Sequence, residues 1–204
     1  MKLYIFSGFL GSGKTLSIIS FAQYLTKDAK EGDDSGAKKL AVLENEIGKV
    51  NFDDTLLKGS NLEVLNLLSG CICCTLTTDL IETLNELNER YSPENVIFEP
   101  TGLAFPDRIV ENVEKHAENI ETIKTITIAD AERWDKLFIV TPMLIEAQLK
   151  AADIILLNKV DLIENSLDSI REKINELNPD AEVFEISALN GIDDKVWNEV
   201  TSCE

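Results

Sequence analysis

Short apolar runs alternate along the chain with longer segments whose apolar residues recur every three or four positions. "KLYIF" (2–6) predicts a strand and "KTLSIISFAQYL" (14–25) a helix. Further strands are predicted over 38–45, "KKLAVLEN", and 62–68, "LEVLNLL". Residues 77–90 carry Leu80, Leu84 and Leu87 on one helical face with polar residues between them. A strand follows at 95–100, "NVIFEP", and then a helix within 106–118. "IKTITIAD" (123–130) predicts a strand, "PMLIEAQLKAA" (142–152) a helix opened by proline, and "DIILLNK" (153–159) another strand. "SLDSIREKINELN" (166–178) predicts a helix and "EVFEISA" (182–188) the last strand.

This alternation predicts an α/β fold, a mainly parallel sheet with helices on both faces, because parallel strands need crossover helices and are buried on both sides. Neither an internal repeat nor a break in composition divides the 204 residues, so a single domain over 1–204 is expected. The polar segment "KDAKEGDDSGAKK" (27–39) reads as a mobile surface loop.

Hydrophobic residues make up 44% of the chain, which excludes a disordered polypeptide. No apolar run approaches the roughly 20 residues that span a membrane. The N-terminal apolar run is too short and too broken by glycine for an export signal, and the cytoplasm is the expected compartment. Acidic residues outnumber basic ones by 37 to 19, for a net charge of −18. Such a surface repels phosphate backbones and anionic lipid, so neither nucleic acid nor a membrane is expected as partner.

The first chemistry lies at "GFLGSGKT" (8–15), which fits G-x-x-x-x-G-K-[ST] between a predicted strand and a predicted helix. Gly8, Gly11 and Gly13 let backbone N–H groups around Ser12 turn towards phosphate without a Cβ in the way. The helix start adds a favourable dipole. Lys14 can reach β- and γ-phosphates, and the Thr15 hydroxyl can ligate Mg²⁺. "NKVD" (158–161) supplies a base reader. Asp161 can accept from guanine N1–H and the exocyclic amine; adenine has no donor at N1 and would leave the carboxylate unpaired. Asn158 can contact the other edge of the base, the Lys159 stem can cover its face, and Ser187 and Ala188 can bring backbone N–H groups to guanine O6. GTP is therefore the expected nucleotide. Glu99 ends an apolar strand where nucleotide-binding sheets place a group near Mg²⁺ or the attacking water, and the Gly102 N–H can meet the γ-phosphate.

The second chemistry is "GCICC" (70–74). Cys71, Cys73 and Cys74 are three of the chain's four cysteines, and adjacent Cys73 and Cys74 bridge only with strain, so a disulfide scaffold is not expected. Thiolates favour Zn²⁺ or Cu⁺ over Mg²⁺, and three of them leave a tetrahedral site one ligand short. Glu44 and Glu46 of "ENEIG" offer carboxylates; His116, the only histidine, reads as a surface helix residue. Buried structural cysteines and thiol–disulfide exchange are the competing readings of the cluster.

Taken in order, "GFLGSGKT", "ENEIG", "GCICC", "EPTGLA" and "NKVD" resemble the CobW-like metallochaperone GTPases, relatives of the nickel-insertion GTPases of hydrogenase and urease maturation. The resemblance runs from Met1 to about Leu189, and the C-x-C-C is its most specific element. It implies a P-loop NTPase fold, slow GTP hydrolysis with Mg²⁺ and catalytic roles for Lys14, Glu99 and Gly102. It also implies a transition metal, Zn²⁺ or Co²⁺ with Ni²⁺ as a further candidate, held by Cys71, Cys73 and Cys74. Glu44 or Glu46 would couple nucleotide to metal, and a client metalloprotein or cofactor-synthesis enzyme would receive it; a GTP-dependent homodimer fits the same class. The chain departs from the pattern in carrying E-P-T-G where E-T-T-G is usual, and Pro100 removes an N–H donor. It also lacks the further C-terminal domain and histidine-rich stretch of many members. Two other classes compete: a GTP-sensing regulatory module with structural cysteines, and a nucleotide-dependent phosphotransferase. The latter usually has an arginine-rich lid, whereas Arg90, Arg108, Arg133 and Arg171 are scattered.

Overall fold

The computed structural model describes residues 1–27, 40–44, 62–66, 76–164 and 166–202. Among them seven strands form one sheet: β1 (Lys2–Ser7), β2 (Leu40–Glu44), β3 (Leu62–Asn66), β4 (Asn95–Glu99), β5 (Thr122–Asp130), β6 (Ile154–Asn158) and β7 (Glu182–Ile186). Their order is β3-β2-β4-β1-β5-β6-β7, and every described pairing is parallel. The connections carry α1 (Lys14–Thr26), α2 (Leu76–Tyr91), α3 (Pro106–His116), α4 (Trp134–Val140), α5 (Pro142–Lys150) and α6 (Asp168–Leu177), with α7 (Asp194–Ser202) after the last strand. The surface loop expected over 27–39 lies, apart from Lys27, outside the described residues.

Alternate residues of each central strand feed opposite faces, the period of two that a pleated strand imposes. Tyr4 and Phe6 of β1 join Val42, Ile97, Ile126 and Ile128 under α1 and α7. Leu3 and Ile5 join Leu43, Val96 and Phe98 under α2 and α3, where Leu80, Leu84 and Leu87 are buried as their spacing predicts. A third cluster packs Ile155 and Leu157 of β6 beneath α4, α5 and α6. Both faces are thus covered.

Sequence periodicity missed two helices, α4 and α7. Each is short and buries only two residues, Trp134 and Leu137 in one, Trp197 and Val200 in the other, too few to reveal a period. None of the described helices is long and apolar enough to cross a membrane.

The sheet order sets β1 between β4 and β5, with the phosphate-loop pattern leaving its carboxyl end. In register, Glu44 of β2 lies beside Glu99 of β4, Ser7 of β1 beside Thr127 of β5, and Asp130 of β5 beside Asn158 of β6. The phosphate-loop pattern, Glu44, Glu99 and Asn158, distant in sequence, therefore converge on one edge, the edge where open α/β sheets bind ligands.

Candidate nucleotide-binding site

Residues 8–13 turn tightly between β1 and α1. Gly13 has φ +102°, and a Cβ there would overlap the side-chain amide nitrogen of Asn158, so backbone and packing both require glycine. Ser12 is buried, and its Oγ has no hydrogen-bond partner among the described residues. An orphaned buried hydroxyl is costly unless something at the site completes it. Lys14 is 6% exposed. Its Nζ lies 3.5 Å from the Phe9 carbonyl oxygen and 3.9 Å from Glu99 Oε1. The lysine thus leans across its own loop towards β4. Thr15, in the first turn of α1, is half-buried, and the loop residue Gly11 is exposed.

Glu99 is buried at the end of β4, with Glu44 beside it in register. Gly102 lies buried against the phosphate loop: a Cβ there would stand 2.9 Å from the Leu10 nitrogen and 3.1 Å from Leu10 Cγ. Its carbonyl accepts from Gln148 Nε2 at 3.2 Å, and the same amide reaches the Ala104 carbonyl at 3.2 Å. Gln148 is itself buried on α5 and fixes the segment after Glu99 to the sheet.

The residues expected to read the base gather on the other side of the loop. Asn158 Nδ2 donates to the Ser12 carbonyl at 2.7 Å, and its Oδ1 accepts from the Ala188 N–H at 2.8 Å. The Asn158 side chain therefore clamps the phosphate loop to the 187–189 turn, which leaves its second amide hydrogen and one oxygen lone pair for a base edge. Ala188, expected to meet guanine O6, spends its N–H on this clamp. Ser187 is half-buried in a turn closed by a bridge to Gly191. Asp161 is exposed on the single 3-10 turn Val160–Leu162. Lys159 precedes it with φ +67°, and its Nζ reaches Asp130 Oδ2 at 2.8 Å and Glu132 Oε2 at 3.3 Å.

Sequence reading missed Asp130 and Arg133. Arg133 Nε donates to Asp130 Oδ2 at 2.7 Å, and its Nη2 donates to the Leu10 carbonyl at 2.7 Å. Asp130 ends an apolar strand just as Glu99 does, and that shared placement was the available signal.

Of the proposed metal ligands, Glu46, Cys71, Cys73 and Cys74 lie outside the described residues. Among the described residues no group of three or more His, Cys, Asp and Glu could hold a metal ion. His116 is exposed at the C-terminal end of α3, which leads back to the start of β5 and thus to the opposite edge of the sheet.

A glycine-cradled loop entering a helix on the central strand of a parallel sheet, with Asn158 two strands away tied to that loop, fits a phosphate-loop nucleotide-binding domain. The family described as "CobW/HypB/UreG, nucleotide-binding domain" matches residues 2–185, and the chain belongs to it. It is 31% identical over 202 residues to the zinc chaperone CobW of Sinorhizobium sp, covering 84% of this chain and 54% of the relative. It is 34% identical over 159 residues to the zinc chaperone YeiR of Escherichia coli, covering 77% of this chain and 46% of the relative. The chain thus spans about half the length of these relatives. Among solved structures, the Zn(II)-bound YjiA GTPase of E. coli superposes on 100% of this chain and 63% of its own, with a TM-score of 0.66 at 21% identity. That likeness is one of fold.

Proposed function

We propose that this domain binds GTP with Mg²⁺, hydrolyses it slowly, and uses the two nucleotide states to hold and then release a transition metal carried on Cys71, Cys73 and Cys74. One observation carries the reading. Glu99 Oε1 lies 3.9 Å from Lys14 Nζ, Glu99 is in register with Glu44 at the end of β2, and β3, parallel to β2, ends at Asn66, shortly before Cys71 in the sequence. The carboxyl ends of β1, β2, β3 and β4 lie at one edge of the sheet together with the phosphate loop, which supports a coupling of nucleotide to metal.

The residues at that edge fit a nucleotide triphosphate. The Lys14 ammonium would move from Glu99 onto the β- and γ-phosphates, and the unpartnered Ser12 hydroxyl would donate to a phosphate oxygen. The Gly102 N–H would take a γ-phosphate oxygen, and Glu99 would orient the attacking water and accept its proton. Asp161 would select guanine over adenine. Thr15 with Glu99 and Glu44 supplies the hard oxygen donors that suit Mg²⁺. That ion, when bound, offsets the charge shared by the β- and γ-phosphates. Thiolates suit the softer cargo. Relatives named zinc chaperones favour zinc, with cobalt and nickel as alternatives. The recipient would be a client metalloprotein or cofactor-synthesis enzyme in the cytoplasm, met by the single domain or by a homodimer assembled around GTP.

By linkage, a metal whose affinity depends on nucleotide must change nucleotide affinity by the same factor. The test is Zn²⁺ and Co²⁺ binding to the reduced protein with GDP, with a non-hydrolysable GTP analogue and with neither, for the wild type and a triple cysteine-to-serine variant. Tight binding that shows thiolate-to-cobalt charge transfer, requires the three cysteines and shifts with nucleotide supports the proposal. Intact GTP hydrolysis without metal binding sinks the metal role and leaves a GTP-sensing module.

A further inference from the structure

We infer that Asp130 is a positioning residue that joins the base-reading loop to the phosphate loop, acting through Lys159 on one side and Arg133 on the other. The inference rests on nucleotide binding at the site described above. The Asp130 side chain is fully buried, yet it is an acid. A buried carboxylate is tolerated only when charged or polar donors surround it. Here Oδ2 accepts from Arg133 Nε at 2.7 Å and Lys159 Nζ at 2.8 Å, with Arg133 Nη2 in ion-pair contact at 2.7 Å, while Oδ1 accepts from the Arg133 backbone N–H at 3.1 Å. An ion pair of this kind adds little stability over an apolar core of the same volume. Its distinctive effect is geometric: one carboxylate fixes two cations that reach two different loops.

On the phosphate side, the Arg133 guanidinium touches the carboxylate and also holds the Leu10 carbonyl at 2.7 Å. A trans peptide points its C=O and N–H in opposite directions, so this contact turns the Gly11 N–H away from the guanidinium and leaves it free to meet an anion. Arg133 Nη2 would lie 3.3 Å from a Cβ on Gly11, which places the cation directly over the loop. On the base side, Lys159 adopts a left-handed backbone unusual for a non-glycine residue, and its side chain is tethered at the far end by Asp130. A stem held at both ends is a fixed platform for a purine, whereas a loose one must be ordered at each binding event. Asp130 thus sets the distance between the base platform and the phosphate cradle.

The experiment is a double-mutant cycle on GDP affinity with Asp130→Asn, Lys159→Met and both together. It is accompanied by the thermal midpoint of each nucleotide-free protein. If Lys159 acts through Asp130, each single variant weakens GDP about tenfold and the double variant also about tenfold, not a hundredfold. Lys159→Arg, which keeps a cation on the carboxylate, restores most of the loss. Multiplicative effects overturn the inference. So does a lowered midpoint in Asp130→Asn with GDP affinity unchanged. If Asp130→Asn does not fold, Asp130→Glu, which displaces the carboxylate but keeps its charge, replaces it in the cycle with Lys159→Met, and non-additivity is again required. Inorganic pyrophosphate reads the phosphate side alone: Arg133→Gln weakens it and Lys159→Met does not, and the reverse pattern overturns the assignment. Wild-type protein that binds ADP as tightly as GDP sinks the guanine reading only, and the cycle is then read on ADP with the same criteria. Protein that binds neither sinks both.

Discussion

Asn158 spans the site: its amide nitrogen donates to the Ser12 carbonyl at 2.7 Å while its oxygen takes the Ala188 N–H at 2.8 Å, so one buried side chain ties together segments far apart in sequence. Replacing it with aspartate keeps the shape but removes the donor and sets a carboxylate against a carbonyl. Leaving buried polar groups unsatisfied costs about 1–3 kcal/mol. Asn158→Asp is therefore expected to lower the stability of the nucleotide-free protein by that amount in urea unfolding and to weaken GDP binding at least tenfold. Stability and affinity both equal to wild type would show the clamp to be idle.

The role proposed for Glu99 is one that binding and turnover separate. It is buried beside the Lys14 ammonium at the end of β4. Glutamine keeps the volume but can neither neutralise the lysine nor accept a proton. Losing a general base typically costs two to four orders of magnitude in rate, so Glu99→Gln is expected to slow single-turnover GTP hydrolysis by about a hundredfold or more. GDP affinity should stay within a few fold, since GDP lacks the γ-phosphate. An unchanged hydrolysis rate would remove Glu99 from the chemistry.

The elements of the site were legible where their signals are local. "GFLGSGKT" and "NKVD" are contiguous, and their chemistry is written in residue type and spacing. The strands that carry them are short, unbroken apolar runs, and Leu80, Leu84 and Leu87 declared the buried face of α2. The contacts that assemble the site were not legible, because they join residues distant in sequence. Arg133 and Lys159 meet only at Asp130, and Asn158 meets Ser12 only once β1 and β6 flank β5. Aspartate at a strand end, arginine at a helix start and lysine in a loop are each ordinary surface residues until the sheet order brings them together. The brevity of α4 and α7 hid them for a different reason, since two buried residues define no period.

Tyr4 makes the fold sensitive to alkali. It is buried on β1 against Phe21, and burial, with a smaller contribution from Tyr24, raises its phenol pKa above the ordinary 10.0. The folded form thus resists ionisation. Above pH about 10 the unfolded chain loses a proton that the native state retains, so stability present below that pH falls as pH rises. Tyr4→Phe should flatten the decline in urea midpoint above pH 10. An identical decline in both proteins would show that Tyr4 does not govern it.

Trp197 anchors the last described helix. It is fully buried, its ring lies 5.0 Å from that of Phe21, and its Nε1–H donates to Ser20 Oγ at 3.0 Å. Aromatic-to-alanine changes in cores cost about 3–5 kcal/mol. Trp197→Ala is expected to destabilise the fold by that amount in urea unfolding, with α7 amides exchanging faster than those of the central strands. A loss below about 1 kcal/mol would mean that α7 contributes little to the core.

Gly102 faces Leu10 across a gap that admits no side chain. A Cβ would sit 2.9 Å from the Leu10 nitrogen, 3.1 Å from its Cγ and 3.3 Å from the Gly8 carbonyl oxygen. The leucine side chain can shift, but the two backbone atoms belong to the phosphate loop and can yield only by moving it. The displaced loop segment would lie on the β4 side, where Glu99 and Lys14 already meet, rather than at Ser12, which Asn158 holds on the base side. Gly102→Ala should therefore discriminate between nucleotides by their phosphates. Affinity for a non-hydrolysable GTP analogue is expected to fall about tenfold or more, in line with the loss of a charge-assisted hydrogen bond, while GDP affinity changes less. Titration of both nucleotides against wild type and variant decides it. An equal loss for both would mean that the displaced loop fails as a whole, and Gly102 would then be a packing requirement without a specific part in sensing the γ-phosphate.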